Sequence, residues 1–355
     1  MQKLPLETQT LYAELMEHLT ALEARRTIGR LSGCFTSKTV KGESYYYFQY
    51  SDPGGASRQI YVGKKTPSLD SVVERHRAER GVLRTDSERI QRLCALVRTG
   101  GALVADAASA RVLRALAESG AFHLGAVLVG THAFAVLGNL LGVRWESAAL
   151  KTHDIDIASE AVMRVAMPAD LQADVPGVLE RLEMGFLPVP QLDPRSPSTS
   201  FKVRGQSLRV DILTPAAKGK EERPVLVRRL NAAAQPVPFL DYLIEDSKRG
   251  AVVDGGGVLV NVPDPARFAF HKLIVSQERA VAMHGKAGKD ILQAAQVFSV
   301  LAEERPGDLL LAWDGIARRG RGWERRVRAG LGLMKKRHSR EYEMLVGIVP
   351  NLERN

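Results

Sequence analysis

Cysteine is almost absent: Cys34 and Cys94 are the only two in the chain, far apart and without ligand-like spacing. That excludes a disulfide framework and a zinc knuckle, and leaves both as small side chains suited to burial. Long apolar runs are also missing, so nothing in the sequence would span a bilayer. The opening Met1-Gln-Lys-Leu-Pro lacks the apolar core of a signal peptide. The expectation is a cytoplasmic protein with no membrane attachment. Acidic residues are in deficit, 40 against 50 lysines and arginines, giving a formal net charge of +10. Otherwise the composition, 45% hydrophobic and 25% charged over 355 residues, is that of a globular chain with room for two or three compact units.

The positive excess is uneven. Between Asp314 and Arg340 stand ten lysines or arginines against only Asp314 and Glu324. Such localisation favours a polyanionic partner over a merely soluble surface. On one helix, Arg318, Arg321, Arg325 and Arg328 would form a single stripe, with Leu310, Ile316, Val327 and Leu331 left for the core.

Three stretches precede the informative region. Leu11, Leu15, Leu19 and Leu22 recur at helical spacing near the start. Gly33 to Gly63 reads as a hairpin or small sheet, with five of the eight tyrosines between Tyr45 and Tyr61 and Lys38, Lys41, Arg58, Lys64 and Lys65 around them. Those aromatics and cations can either stack bases and hold phosphates or pack one sheet face against neighbouring helices. Residues 68–119 are helical in pattern, with a break at Gly100-Gly101. We place an N-terminal helical and hairpin arm at 1–119, a core at 120–263 and a helical C-terminal unit with the basic stretch at 264–355.

The core opens with an apolar run, Val127-Leu-Val129, that stops at Gly130-Thr131 and is followed by a helical segment to Leu141. After a polar loop comes Asp154-Ile-Asp156-Ile157. Alternation puts both isoleucines on one face of a strand and both carboxylates on the other. Two carboxylates so close repel unless a proton or cation lies between them. Asp211 sits in a comparable apolar strand, Leu208 to Leu213, reached through a hairpin that turns at Gly205-Gln206. Three converging acids suit a hard cation such as Mg²⁺. Arg209 shares a face with Asp211 and either neutralises it, meets a substrate phosphate or stays on the surface. Met167-Pro-Ala-Asp is expected to start a helix running to Met184. Asp254-Gly-Gly-Gly257 lacks a following Lys-Ser or Lys-Thr and is read as a hairpin turn.

This order of elements resembles the nucleotidyltransferase superfamily typified by DNA polymerase β. The resemblance implies an α+β fold, a mixed sheet flanked by helices. It makes Gly130 and Thr131 the pair that holds a triphosphate, and Asp154, Asp156 and Asp211 the carboxylates for two Mg²⁺ (or Mn²⁺) ions. Two departures stand out: Thr131 replaces the usual Ser or Gly, and the gap to Asp154 carries an insertion around Val143 to Leu150.

Further on, Asp264-Pro265 is a helix start, with Asp264 as cap. Within that helix His271-Lys272-Leu273-Ile274 is similar to an element of bacterial nucleotidyltransferase-like proteins, including those of abortive-infection and toxin–antitoxin systems. Lys289-Asp290 with Gln293 is similar to a second element of that group. The likeness gives Lys272 and Lys289 to the triphosphate; the plain alternative is a solvated helix face. His271 is read as a packing histidine, since no second histidine stands at ligand spacing. The expected activity is transfer of a nucleoside monophosphate from an NTP to a hydroxyl, with RNA, including a tRNA end, as favoured acceptor. A protein or small-molecule hydroxyl is the alternative acceptor. A non-catalytic nucleic-acid-binding or toxin–antitoxin partner is the alternative class.

Overall fold

The structure, a computed structural model, describes residues 1–26, 33–40, 42–51, 57–150, 152–161, 172–217, 223–278, 284–350 and 352–353. The chain begins with a short strand, β1 (Gln2–Lys3), and a helix, α1 (Leu6–Arg26). Three antiparallel strands follow in the order β2 (Gly33–Val40), β3 (Glu43–Ser51) and β4 (Ser57–Lys64). The tyrosine-rich arm is therefore a small sheet. Its Asp52–Gly55 turn, with Lys41, lies outside the described residues. Helix α2 (Pro67–Thr99) starts where the Thr66 side chain accepts from Leu69 N at 3.3 Å and Pro67 takes the first turn, and it ends at Gly100. Helix α3 (Ala107–Glu118) completes this part.

Next come β5 (Val127–Val129), α4 (Gly130–Leu140), β6 (Val143–Arg144), β7 (Asp154–Ala158) and α5 (Val175–Arg181). The insertion expected around Val143 to Leu150 thus contains β6, which pairs with β1 at the chain start, and a 3-10 turn, Ser147–Ala149. Of the helix expected from Met167 to Met184, the described residues show α5, and 162–171 lie outside them.

Strands β8 (Phe186–Pro188), β9 (Ser200–Val203), β10 (Arg209–Pro215), β11 (Val225–Val227) and β12 (Ala232–Val237) fill out the main sheet. Its path runs β11-β12-β10-β7-β5, with β9 on the edge of β10 and β8 on β9. β10 is parallel to β7 and β12, whereas β5 is antiparallel to β7, so the sheet is mixed. A short helix, α6 (Leu240–Ile244), leads to the hairpin β13 (Lys248–Val252) and β14 (Val258–Val262), whose turn is the Asp254–Gly257 run. Asp254 Oδ1 accepts from Gly256 N and Gly257 N, which ties that turn to itself, in keeping with the hairpin reading.

Among the described residues, five helices follow: α7 (Pro265–Glu278), α8 (His284–Glu304), α9 (Pro306–Ala317), α10 (Arg321–Arg337) and α11 (Ser339–Ile348). Asp264 caps α7 as its sequence demands, accepting from Ala266 N at 2.9 Å and Arg267 N at 3.2 Å. Phe268, Phe270, Leu273 and Ile274 are fully buried.

One apolar cluster runs from Val112 through the sheet to Leu352; a second joins α1, α2 and β13. Within the first, Phe134 of α4 stacks on Trp145 at 4.7 Å and on Phe268 of α7 at 5.8 Å. Trp145 Nε1 donates to Phe134 O at 2.6 Å, so the indole is satisfied as it packs. In the second, the Tyr12 hydroxyl accepts from Ala251 N and donates to Ala251 O, fastening α1 to β13. No helix among the described residues is long and apolar enough to cross a membrane.

The arginine stripe needs correction. α9 ends at Ala317 and α10 begins at Arg321, with Gly320 between them at φ +99°, a conformation that ends a helix. Arg318 therefore does not share a helix with Arg321, Arg325 and Arg328. Leu310 is 38% exposed, and Leu309 takes the core position expected for it, while Ile316, Val327 and Leu331 are buried as expected.

Candidate active site

Gly130 is the hinge of the site. The three residues of β5 are buried and pair with β7, Val129 opposite Asp156. The chain then turns directly into α4 at Gly130, whose φ is +68°. A Cβ here would also run into Asp156 Oδ2, so glycine suits the position for both reasons. The same close approach presents the first turn of α4, with its free N–H groups, beside the carboxylate strand. Thr131 follows, with a buried side chain.

On β7, Ile155 and Ile157 are fully buried, while Asp154 and Asp156 share the other face. β10 lies alongside in parallel register, Arg209 beside Asp154 and Asp211 beside Asp156. The third acid is thus a direct neighbour of the second on the same face of the sheet. Burial pushes the Asp156 carboxyl up to about 6, with Asp211 and then Asp154 adding to the rise and Lys272 opposing it.

Asp211 is held by two donors. Arg209 Nε donates to its Oδ1 at 2.7 Å, and the Ser200 hydroxyl donates to the same oxygen. Arg209 Nη2 also donates to Ser200 Oγ at 2.8 Å, closing a triangle across β9 and β10. Of the three roles open to Arg209 from sequence, the structure shows the first, neutralisation of Asp211. Ser200 escaped the sequence reading. Its signal was its place in the strand opposite Asp211, which only the register reveals.

The C-terminal helices bring two lysines to these acids. Lys272 is buried, its Nζ 2.8 Å from Asp290 Oδ1, and its charge acts on Asp156. Lys289 is half-buried. Burial and the neighbouring Lys272 lower its pKa, while Asp290, Asp154 and Asp156 hold it up. Gly130, Thr131, Asp154, Asp156, Asp211, Lys272 and Lys289 therefore form one constellation. His132 adjoins it and was also overlooked. It lies in the first turn of α4, with Nε2 buried and unbonded among the described residues, and burial lowers its pKa against the pull of Asp106 and Asp154. It lines a cavity of about 210 Å³ together with Thr131 and Thr152.

The arginines have partners of their own. Arg328 Nε donates to Leu352 O at 2.9 Å, its Nη2 pairs with Glu324 at 2.9 Å, and its guanidinium lies over Trp313. Arg318 Nε donates to Asp314 O at 3.3 Å. Arg318, Arg321 and Arg325 are exposed.

Residues 107–318 match a family model described as Nucleotidyltransferase. That span is more than half of the chain and includes every acid and lysine of the constellation. The chain belongs to this nucleotidyltransferase family. A solved structure of an antigenic nucleotidyltransferase-like protein from Paracoccidioides brasiliensis aligns at 14% identity over 57% of this chain and 84% of that one, with a TM-score of 0.29. A search of curated proteins finds no match.

The donor set of this nucleotidyltransferase suits a hard divalent cation. Asp154 and Asp156 offer oxygen on one strand face, with Asp211 in register beside Asp156, and carboxylates so close repel unless a proton or cation lies between them. Among the described residues no three acidic, histidine or cysteine side chains close into a ready cage, and Asp211 accepts from Arg209 and Ser200. Mg²⁺ commonly takes only one or two carboxylates, with substrate phosphates and water completing its shell.

Gly130→Ala tests the close approach. A side chain at positive φ costs about 1–2 kcal/mol, and the new methyl must also displace Asp156. The urea midpoint is expected to fall accordingly, and nucleotidyl transfer with it.

Proposed function

We propose that this nucleotidyltransferase works as the DNA polymerase β superfamily does, moving a nucleoside monophosphate from an NTP to a hydroxyl with release of pyrophosphate. The observation that carries this reading is Asp211 in register with Asp156, beside a helix N-terminus that Gly130 brings against the Asp156 carboxylate. In this scheme Gly130 and Thr131 bind the terminal phosphates through main-chain N–H and hydroxyl. Lys289 offsets the charge that grows on the leaving pyrophosphate. Lys272 joins it through its charge while remaining paired with Asp290. Asp154, Asp156 and Asp211 would hold two Mg²⁺ or Mn²⁺ ions, whose chemistry is to polarise the phosphoryl oxygens and lower the pKa of the attacking hydroxyl. Asp211, once Arg209 turns from it to a substrate phosphate, is free to accept the hydroxyl proton.

RNA is the acceptor best supported. The net charge is +10, and Arg318, Arg321 and Arg325 stay exposed where α9 passes into α10. If all three meet phosphate, their joint replacement by alanine is expected to flatten the salt dependence of RNA binding by about two log units per log unit of salt, at ~0.7 per single-strand contact. An unchanged slope, measured by titration from about 50 to 200 mM salt, would remove these arginines from the interface. Arg328→Ala is expected to lower the melting temperature instead, because its donors serve Leu352 and Glu324.

The deciding assay incubates the protein with Mg²⁺ and each α-labelled NTP, with and without total RNA. Label on RNA is the expected result. Label on the protein itself would move the acceptor to a protein hydroxyl. Label nowhere, with every NTP, would leave a fold without turnover, as in a toxin–antitoxin partner.

A further inference from the structure

The three-stranded sheet β2-β3-β4 divides its aromatics between two faces. On one, Tyr46 is 5% exposed and its hydroxyl donates to Asp70 Oδ1 of α2 at 2.6 Å. Phe35 and Phe48 share that face, 5.1 Å apart, and Ile60 stands opposite Phe48. The packing role open to the tyrosines from sequence is met on this side.

The other face is different in kind. Tyr47 pairs across the strands with Tyr61 and Thr36, and Tyr45 with Lys38 and Lys64. The rings of Tyr45 and Tyr47 lie 6.1 and 5.6 Å from the ring of Tyr61, which is 56% exposed. Lys38 Nζ sits 4.9 Å above the Tyr47 ring and donates to Gln59. Gln49 lies beside Gln59 in the same row, so two side-chain amides flank the rings, their Nε2 groups donating to Ser57 at 2.9 Å and to Thr36 at 3.1 Å. Between Gly33 and Lys65 the sequence carries five lysines or arginines against two acids.

A row of rings, Tyr61 exposed and Tyr45 and Tyr47 half-buried, set among amides and excess positive charge has a specific use. Aromatic rings stack successive bases, cations track the sugar-phosphate backbone, and amides bond to base edges that single strands leave open. Five lysines or arginines against two acids favour a polyanionic partner at this sheet.

We infer that this face, through Tyr45, Tyr47 and Tyr61 with Lys38, Gln49 and Gln59, is a stacking platform for single-stranded nucleic acid. It rests on the RNA-acceptor reading above only for the identity of the strand. Its work is to hold the strand independently of the carboxylate site.

The test is fluorescence anisotropy with a labelled single-stranded RNA of about 12 nucleotides, within the usual range of site sizes, without NTP or metal, so that transfer plays no part. Tyr47→Ala with Tyr61→Ala is expected to weaken binding at least ~25-fold, about two stacked bases at the lower end of their usual contribution. Tyr47→Phe with Tyr61→Phe keeps the rings and is expected to bind within a few-fold of the parent. Circular dichroism of both variants checks that the sheet persists. Single-stranded DNA of the same sequence binding with the same ring dependence supports the platform and removes any selectivity for RNA. Alanine variants that bind like the parent overturn it, as does a phenylalanine variant that loses as much as the alanine one. Duplex RNA bound as tightly as the single strand also overturns it, since paired bases offer no face for stacking. Asp154→Ala is expected to bind the oligonucleotide normally. Its loss of transfer therefore judges the catalytic reading alone.

Discussion

Asp156→Asn is expected to abolish nucleotidyl transfer and, in the same protein stripped of metal, to raise the melting temperature above pH 6. The two effects have one cause. Burial and the neighbouring Asp211 push the Asp156 carboxyl from 3.8 up to about 6. The folded protein therefore binds this proton more tightly than the unfolded chain does. Stability from this group is fully present below about pH 4, falls as pH rises to about 6, and is level beyond. At ~1.4 kcal/mol per pH unit the loss comes to about 3 kcal/mol. Asparagine keeps the size and drops the charge, so that loss should vanish from the variant's pH–stability curve. Transfer should fall more than ~100-fold, since even groups that merely support metal ligands typically account for ~10–100-fold. Added Mg²⁺ is expected to raise the melting temperature of the parent and much less that of the variant. Transfer by the variant at the parental rate would remove Asp156 from the site.

Lys272→Met is expected to produce the largest loss of stability of any single change considered. Its ammonium and the Asp290 carboxylate are 2.8 Å apart, with side chains only 11% and 4% exposed. Removing the cation takes a direct partner from a buried carboxylate, which costs about 3–5 kcal/mol. Replacing both partners, Lys272→Met with Asp290→Leu, should recover most of that, because the apolar pair asks for no desolvated charge. Denaturant titration measures the first effect. The rescued double variant then reports on chemistry: a further loss of transfer in a stable protein would show Lys272 charge acting on the triphosphate, and parental transfer would confine the lysine to the fold.

The acids were legible in the sequence because strand alternation fixes faces locally. Asp154 and Asp156 with their two isoleucines define a strand and its sides without any tertiary knowledge. Asp211 was legible for the same reason, and its hairpin announced itself at Gly205, which the structure holds at φ +73°. The partners of these acids were not legible, since register is a long-range property. Ser200 meets Asp211 only because β9 pairs with β10 at that residue. Lys272 pairs with Asp290 because α7 and α8 pack together, and the sequence alone offered Lys289 as the nearer neighbour. The arginine series failed as one helix because helical spacing was counted across Gly320, where the backbone leaves the helical region. The tyrosines were visible as a cluster, but that Tyr46 alone among them is buried depended on its reaching Asp70 of α2.

Because Phe134 is sandwiched between Trp145 and Phe268, the gene offers no safe cut just ahead of Asp264. A shortened product ending before Pro265 would leave the helix that begins at Gly130 with one aromatic side bare, and it would lose both lysines at the same stroke. Exchange of segments between relatives faces the same constraint. The acid-bearing half and the lysine-bearing half have to be inherited together, as matched halves of one casting.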